Sequence, residues 1–516
     1  MTIARDLADF ADSATASSDS IYTPVATGAL ANGQAVVLNS DGTVQTVSPA
    51  TSSNSTPTAW GGSSYTSTSE AQFPNDDAWY DPNSNTVVVV YSDSTNGYYG
   101  TAIVGTISGT TITFGSPLIF SSALTSWCRV EKNYSYSDKV VIAWVLTDSS
   151  YGLYVETFNI SGTTITANES FPYQRITGCY MPRMITNLDT YTSPPYIYGR
   201  VYIAYADSNN SYYGTVRGFG TNSASTSIGP GNYMVFASET IGQNAFLSIN
   251  PDQQPANTAI VCSRSNGGQA GLAAVITFDW FGNVSSVGTL TYIAPTNQFS
   301  YPQMAYDPSS GKYLVAVDGN KFNPGADAME SYLLTVDGTD VTASTATPWA
   351  SRPDYNQIYQ FTVVASNGQV VIFYRDDASP NYPKYVVGTI SGSSVSYGQT
   401  FTADTTTMGS TSIPISVYDS NNSQAIIFYS DSFNPLYTMI DNAPSTAPNF
   451  IGITNEAIAD GEAGVVSLKG SINQSVTGLT TQADYYVQED GALSTTVSAT
   501  PAGKALSPTS ILLKGI

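Results

Sequence analysis

Residues Ala78–Asp93 read AWYDPNSNTVVVVYSD, and the fold follows from how that stretch is parsed. A short segment, Asp77–Tyr80, runs into Asp81-Pro82 and a group of Asn and Ser. An unbroken β-branched run, Thr86–Tyr91, then ends at the polar turn Ser92–Gly97. Asp and Asn start turns by bonding their own backbone, and Pro cannot remain in a ladder. Val-rich runs between such signals are strands. The unit is strand–turn–strand, and it reappears as Met304–Val317 (MAYDPSSGKYLVAV) and Val417–Asp431 (VYDSNNSQAIIFYSD).

The second strand is the most regular marker. It occurs as Val88–Asp93, Ile142–Asp148, Tyr202–Asp207, Ala259–Arg264, Leu314–Gly319, Val371–Asp376 and Ala425–Asp431, with successive ends 55 to 59 residues apart. So even a period marks repeated folding units. Each period holds two further strands, Tyr99–Ile107 and Thr111–Phe120 in the first. A four-stranded meander repeated seven times predicts an all-β fold, a seven-bladed β-propeller of four-stranded blades. A solenoid would use coils of roughly 20–30 residues, and a string of sandwiches would need larger units. The ring is expected over residues 65–445, with Tyr65–Phe73 as the outer strand of the last blade. Residues 1–64 read as a short helix (Ile3–Phe10), a hairpin around Asn39–Gly42 and a Ser/Thr/Pro-rich linker. Residues 446–516 read as a small β domain for attachment or assembly. The two ends are expected to pack together, with two separate appendages as the alternative.

Composition narrows the chemistry. The 516 residues carry 17 basic and 39 acidic side chains, a formal net charge of −22, and no histidine. A basic field for nucleic acid is absent, and a Ser-His-Asp triad cannot be built. Cys128, Cys179 and Cys262 lie in apolar strands without zinc or redox spacing, so they read as small core residues. No apolar run of about 20 residues predicts a membrane helix, and Met1–Asp12 does not look like a signal peptide.

Several polar positions invite functional readings. The loops after the second strands carry Asp93, Tyr98, Tyr99, Asp207, Tyr212, Tyr213, Tyr382 and Tyr437. Exposed rings can stack on a sugar while short polar groups bond its hydroxyls. Against that, an Asp at each repeat is first a turn initiator and a Tyr a packing residue. Glycosidase chemistry needs two carboxyls facing one substrate; Asp76, Asp77, Asp189, Asp354 and Asp419 are available, but their spacing singles out no pair. Asp318, Asp327 and Asp337 do not follow an EF-hand pattern. Trp79, Trp127 and Trp144 read as packing residues. No metal, cofactor or catalytic residue is expected.

The chain ends carry a resemblance. Phe450–Leu513 contains Asp460-Gly461 with Gly464, Gly478-Leu479-Thr480, Tyr485-Tyr486-Val487, Asp490-Gly491 with Leu493-Ser494-Thr495, and Gly503-Lys504-Ala505-Leu506. These elements resemble a module of tail-fibre and other virion-surface proteins of tailed bacteriophages, especially marine and cyanobacterial ones. Met1–Leu7 and Leu30–Val47 resemble the start of such proteins. The resemblance implies a structural role in the virion, partners among other virion proteins, and a homo-oligomer. The resulting expectation is a non-enzymatic tail or tail-fibre component that contacts a host-surface glycan or receptor. Its alternatives are a capsid-surface subunit without ligand and a polysaccharide-degrading tail enzyme with paired carboxylates.

Overall fold

The computed structural model describes residues 21–39, 41–47, 51–60, 76–133, 138–147, 151–167, 176–187, 200–221, 228–241, 246–249, 258–265, 270–279, 283–294, 299–318, 328–351, 360–376, 380–409, 412–431, 434–443, 447–488, 491–498 and 500–514. The expected helix Ile3–Phe10 and strand Tyr65–Phe73 lie outside these residues, as do Asp189, Asp327 and Asp354. The chain divides into two compact units, one of residues 1–53 with 442–516 and one of residues 54–441.

In the larger unit the repeat is built as its residues dictate. Asp77–Asp81 pairs antiparallel with Thr86–Asp93, which pairs in turn with Tyr99–Ser108. The reversal between the first two is an Asx turn. Asp81 accepts bonds from Asn83 N (3.2 Å) and Ser84 Oγ (2.6 Å), and Asn85 takes a left-handed φ of 53°. Asp307 and Asp419 do the same, accepting from Ser310 N at 3.0 Å and Asn421 N at 3.0 Å. Second strands are buried on both faces, which is why they read as unbroken apolar runs.

Strand pairing corrects the expected propeller. Among the described residues the sheets are separate, open and antiparallel, mostly of four or five strands, and no strand ladder closes them into a barrel or a propeller. The first two repeats depart furthest from uniform blades, because Leu118–Lys132 is one 15-residue strand. Its first part pairs with Tyr99–Ala102 and its second with Val140–Leu146, joining both repeats in an eight-stranded sheet. The last repeat is extended by the N-terminal segment, with Leu436 opposite Ala59 and Tyr437 opposite Thr58. Side chains, not a ladder, join the first and last repeats. Trp60, Tyr91, Phe428 and Tyr437 share one core cluster, and Tyr437 Oη accepts a bond from Ile112 N at 2.9 Å.

The smaller unit takes strands from both chain ends. One sheet runs Ile21–Tyr22, Val466–Leu468, Phe450–Thr454, Ala35–Leu38, Val44–Thr46. The hairpin turn is fastened by Asp41, which accepts from Thr43 N (3.0 Å) and Thr43 Oγ1 (2.7 Å) while Gly42 takes φ 87°. A second sheet holds Ile472–Asn473, Ser510–Leu513, Pro501–Ser507, Asp484–Val487 and Leu493–Ser494. Val37, Phe450, Tyr485 and Ile511 are buried in the core between them. No helix among the described residues is long and apolar enough to cross a membrane.

Candidate functional site

Three neighbouring strands of the larger unit, Asp77–Asp81, Leu118–Lys132 and Cys179–Asn187, pack side by side. Two of them carry a β-bulge at matching places. Register slips between Ser126 and Arg129, where Trp127 has φ 50°, and between Tyr180 and Arg183, where Met181 has φ 52°. Large side chains in the left-handed region cost roughly 1–3 kcal/mol each. A bulge re-aims the side chain that follows it, and here the residues that follow are Arg129 and Arg183.

Both arginines are buried, Arg129 to 1% exposure. Arg129 Nε donates to Pro182 O at 2.8 Å, and its Nη1 donates to the carbonyls of Cys128 (2.5 Å) and Asp76 (3.4 Å). Asp76 is buried and accepts from Ser92 N at 3.0 Å. Asp77 accepts from Ala78 N at 3.0 Å and Val130 N at 3.3 Å. Glu131, two residues beyond Arg129, completes the group. Asp77 and Glu131 are half-buried, so the cluster reaches solvent at these two acids.

Electrostatics separate the three carboxyls. Burial pushes Asp76 up to about 7, with the Ser92 amide and Arg129 opposing it. Burial also pushes Glu131 up to about 8, reinforced by the charge of Asp77. Asp77 is raised by burial as well, but both guanidinium groups pull it back. Burial lowers Arg129 and Arg183; for Arg183 the neighbouring Arg129 adds to the fall. Near neutrality Glu131 thus holds a proton, while the raised Asp77 has two guanidinium groups favouring its charged form. Carboxyls with proton affinities driven apart are what acid–base catalysis uses.

The loop residues read from the sequence divide. Asp93 and Asp207 cap short 3-10 turns, accepting from Thr95 N (2.9 Å) and Asn209 N (3.0 Å). Tyr98 and Tyr212 follow with φ 60° and 58°, their amides donating to Asp93 O and Asp207 O. Tyr99, Tyr213 and Tyr382 are half-buried, whereas Tyr212 is 40% exposed. Tyr437 is corrected from a surface contact to a core residue, 1% exposed and bonded to Ile112 N. Asp318 is buried, and no metal-holding group of His, Cys, Asp or Glu occurs among the described residues. The sequence reading noted Asp76 and Asp77 but missed Arg129, Glu131 and Arg183. Their signal was charge inside strands that otherwise read apolar, Cys128–Lys132 (CRVEK) and Pro182–Met184 (PRM).

No protein-family model and no curated protein matches the chain. Among solved structures it is similar to a protein from Lactobacillus plantarum, 12% identical, over 74% of this chain and 99% of that one, with TM-score 0.43. An α-L-arabinanase of Penicillium chrysogenum matches over 61% and 92% at 10% identity, TM-score 0.35. An exo-β-1,3-galactanase of Phanerochaete chrysosporium matches over 85% and 100% at 11% identity, TM-score 0.31. None of the three is a viral protein, so the expected phage and tail-protein character draws no support from them. The expectation of no enzymatic activity finds no support either: two of the three similar structures are enzymes, and the cluster holds carboxyls whose proton affinity burial raises. At these TM-scores the likenesses assign no reaction to this chain.

Proposed function

We propose that the chain is a polysaccharide-cleaving protein carried on a phage particle, with Glu131 as proton donor and Asp77 as the second carboxylate. The observation that carries this is the pair itself: half-buried acids on strands that pack together, both raised by burial, Glu131 further by the charge of Asp77 and Asp77 opposed by Arg129 and Arg183. In such a reaction the glycosidic C–O bond breaks as the leaving oxygen takes the proton of Glu131. Water supplies hydroxyl to the sugar carbon, with Asp77 assisting as base or forming a transient bond itself. Asp76 and Arg129 position the pair. The particle context rests on the resemblance of the two chain ends, and partners among other virion proteins go with it.

Release of reducing ends from arabinan, xylan, laminarin, dextran and alginate between pH 5 and 9 tests the reading. Glu131→Gln and Asp77→Asn should each lower the rate by about 100-fold or more. No release from any of these, or variants as fast as the parent, overturns it. A second reading has its own observation, since Arg129 spends its donors on three main-chain carbonyls. On that reading the cluster is a latch between strands in an architectural capsid-surface subunit.

A further inference from the structure

Four aromatic rings form a run that begins on the two strands carrying the arginines, and the cleavage chemistry does not use them. Trp127 stands two residues before Arg129 and Tyr180 three before Arg183, so their strands carry both groups. Trp127 meets Tyr180 edge-on at 4.9 Å between centroids, and Tyr180 meets Tyr151 at 5.3 Å and Tyr212 at 5.6 Å, again edge-on. Trp127 and Tyr151 lie 5.9 Å apart. Exposure rises along the run: Trp127 is buried, Tyr151 and Tyr180 are partly covered, and Tyr212 is 40% exposed.

Packing alone does not explain the outer end. Burial of Tyr212 is incomplete; the turn that sets Tyr98 at φ 60° sets it at 58°, and Tyr151 and Trp127 are held at 43° and 50°. Three of the four rings thus sit on left-handed residues, a conformation unfavourable for bulky side chains. The arrangement turns ring surface outward beside short polar groups, with Asp207 and the exposed Asn210 in the same loop. Aromatic surface flanked by a carboxylate and amides fits a sugar, whose C–H face packs on a ring while its hydroxyls bond the polar edge. A chain of net charge −22 with Asp207 at the rim disfavours a polyanion, leaving a neutral polysaccharide.

We infer that Tyr212, with the partly covered Tyr151 and Tyr180 and backed by the buried Trp127, forms a binding platform for a neutral polysaccharide chain that also reaches the carboxyl cluster. This deepens the cleavage reading and rests on it for the role of the bound chain, but it has its own readout. The probes are arabinan, xylan, laminarin and dextran, with alginate as the polyanion, each cast into a native gel through which the full-length protein migrates. Tyr212→Asn removes the ring, keeps the amide that donates to Asp207 O, and tolerates the left-handed backbone. Retardation by at least one neutral polysaccharide is expected, weakened roughly five- to ten-fold in Tyr212→Asn. An unaltered melting curve shows that the variant folds. Binding without cleavage by the parent protein would refute the cleavage reading and leave the platform standing. No retardation in any neutral gel, equal retardation of Tyr212→Asn, or retardation by alginate alone would overturn the platform.

Discussion

The early and late repeats of the larger unit solve one structural problem with different chemistry. Both bring polar side chains into buried first strands. In the late repeats the mid-strand groups are neutral: Thr362 Oγ1 and Ser416 Oγ share a bond of 2.7 Å, and Gln360 Nε2 donates to Gly409 O at 3.1 Å. Charge stands there at the strand end in Asp419, and on the next strand in Arg375, which donates to Gln360 Oε1 at 3.3 Å. In the early repeats the corresponding region holds three acids and two arginines. Burying charge is costly even when paired, and neutral partners hold strands together at lower cost. Neutral groups hold the middle of the late first strands, so the charges of the early repeats are available to the chemistry proposed for them.

Removing charge from one region and neutral bonds from the other should therefore differ sharply. Arg129→Met deletes the donor to three carbonyls and strips Asp76 and Asp77 of a counter-charge. A loss of about 3–5 kcal/mol is expected, read from the denaturation midpoint of the full chain. A loss below about 1 kcal/mol would mean that the early repeats tolerate neutrality as the late ones do. At the other end of the scale, Ser416→Ala should cost about 1 kcal/mol by leaving Thr362 without its partner hydroxyl. Thr362→Val combined with Ser416→Ala should cost less than the two single losses together, because neither hydroxyl is then stranded.

Those contrasts also mark what the sequence could reveal. The strands were legible from β-branched runs between Asx turns, and Asp81, Asp307 and Asp419 do start the turns assigned to them. The closed ring was not. Periodicity reports that units repeat, but it says nothing of how their sheets are joined, and the continuous strand Leu118–Lys132 was cut in two when read by period alone. Tyr437 illustrates a second limit: its loop-side position looked exposed, yet its ring packs with Phe114 and Phe428. The site was hidden for a third reason. Asp77, Glu131 and Arg183 are separated by 54 and 52 residues in sequence, and only the packing of adjacent strands brings them together. The bulges at Trp127 and Met181 depend on backbone geometry that no residue pattern announces.

The central claim is that the early repeats hold carboxyls whose proton affinity is displaced upward, and its most direct test is stability against pH. Folded Asp76 and Glu131 keep their protons to about 7 and 8, whereas unfolded they release them near the ordinary 3.8 and 4.5. Between those limits the folded state binds more protons, so rising pH must favour unfolding. Asp419, which is lowered by its hydrogen bonds, contributes stability of the opposite sign that is lost only as pH falls below its ordinary 3.8. From pH 5 to pH 8 the melting temperature of the larger unit should fall by roughly 3–6 °C, and Asp76→Asn combined with Glu131→Gln should flatten that slope. A melting temperature that holds steady or rises across this range in the parent protein would contradict the account.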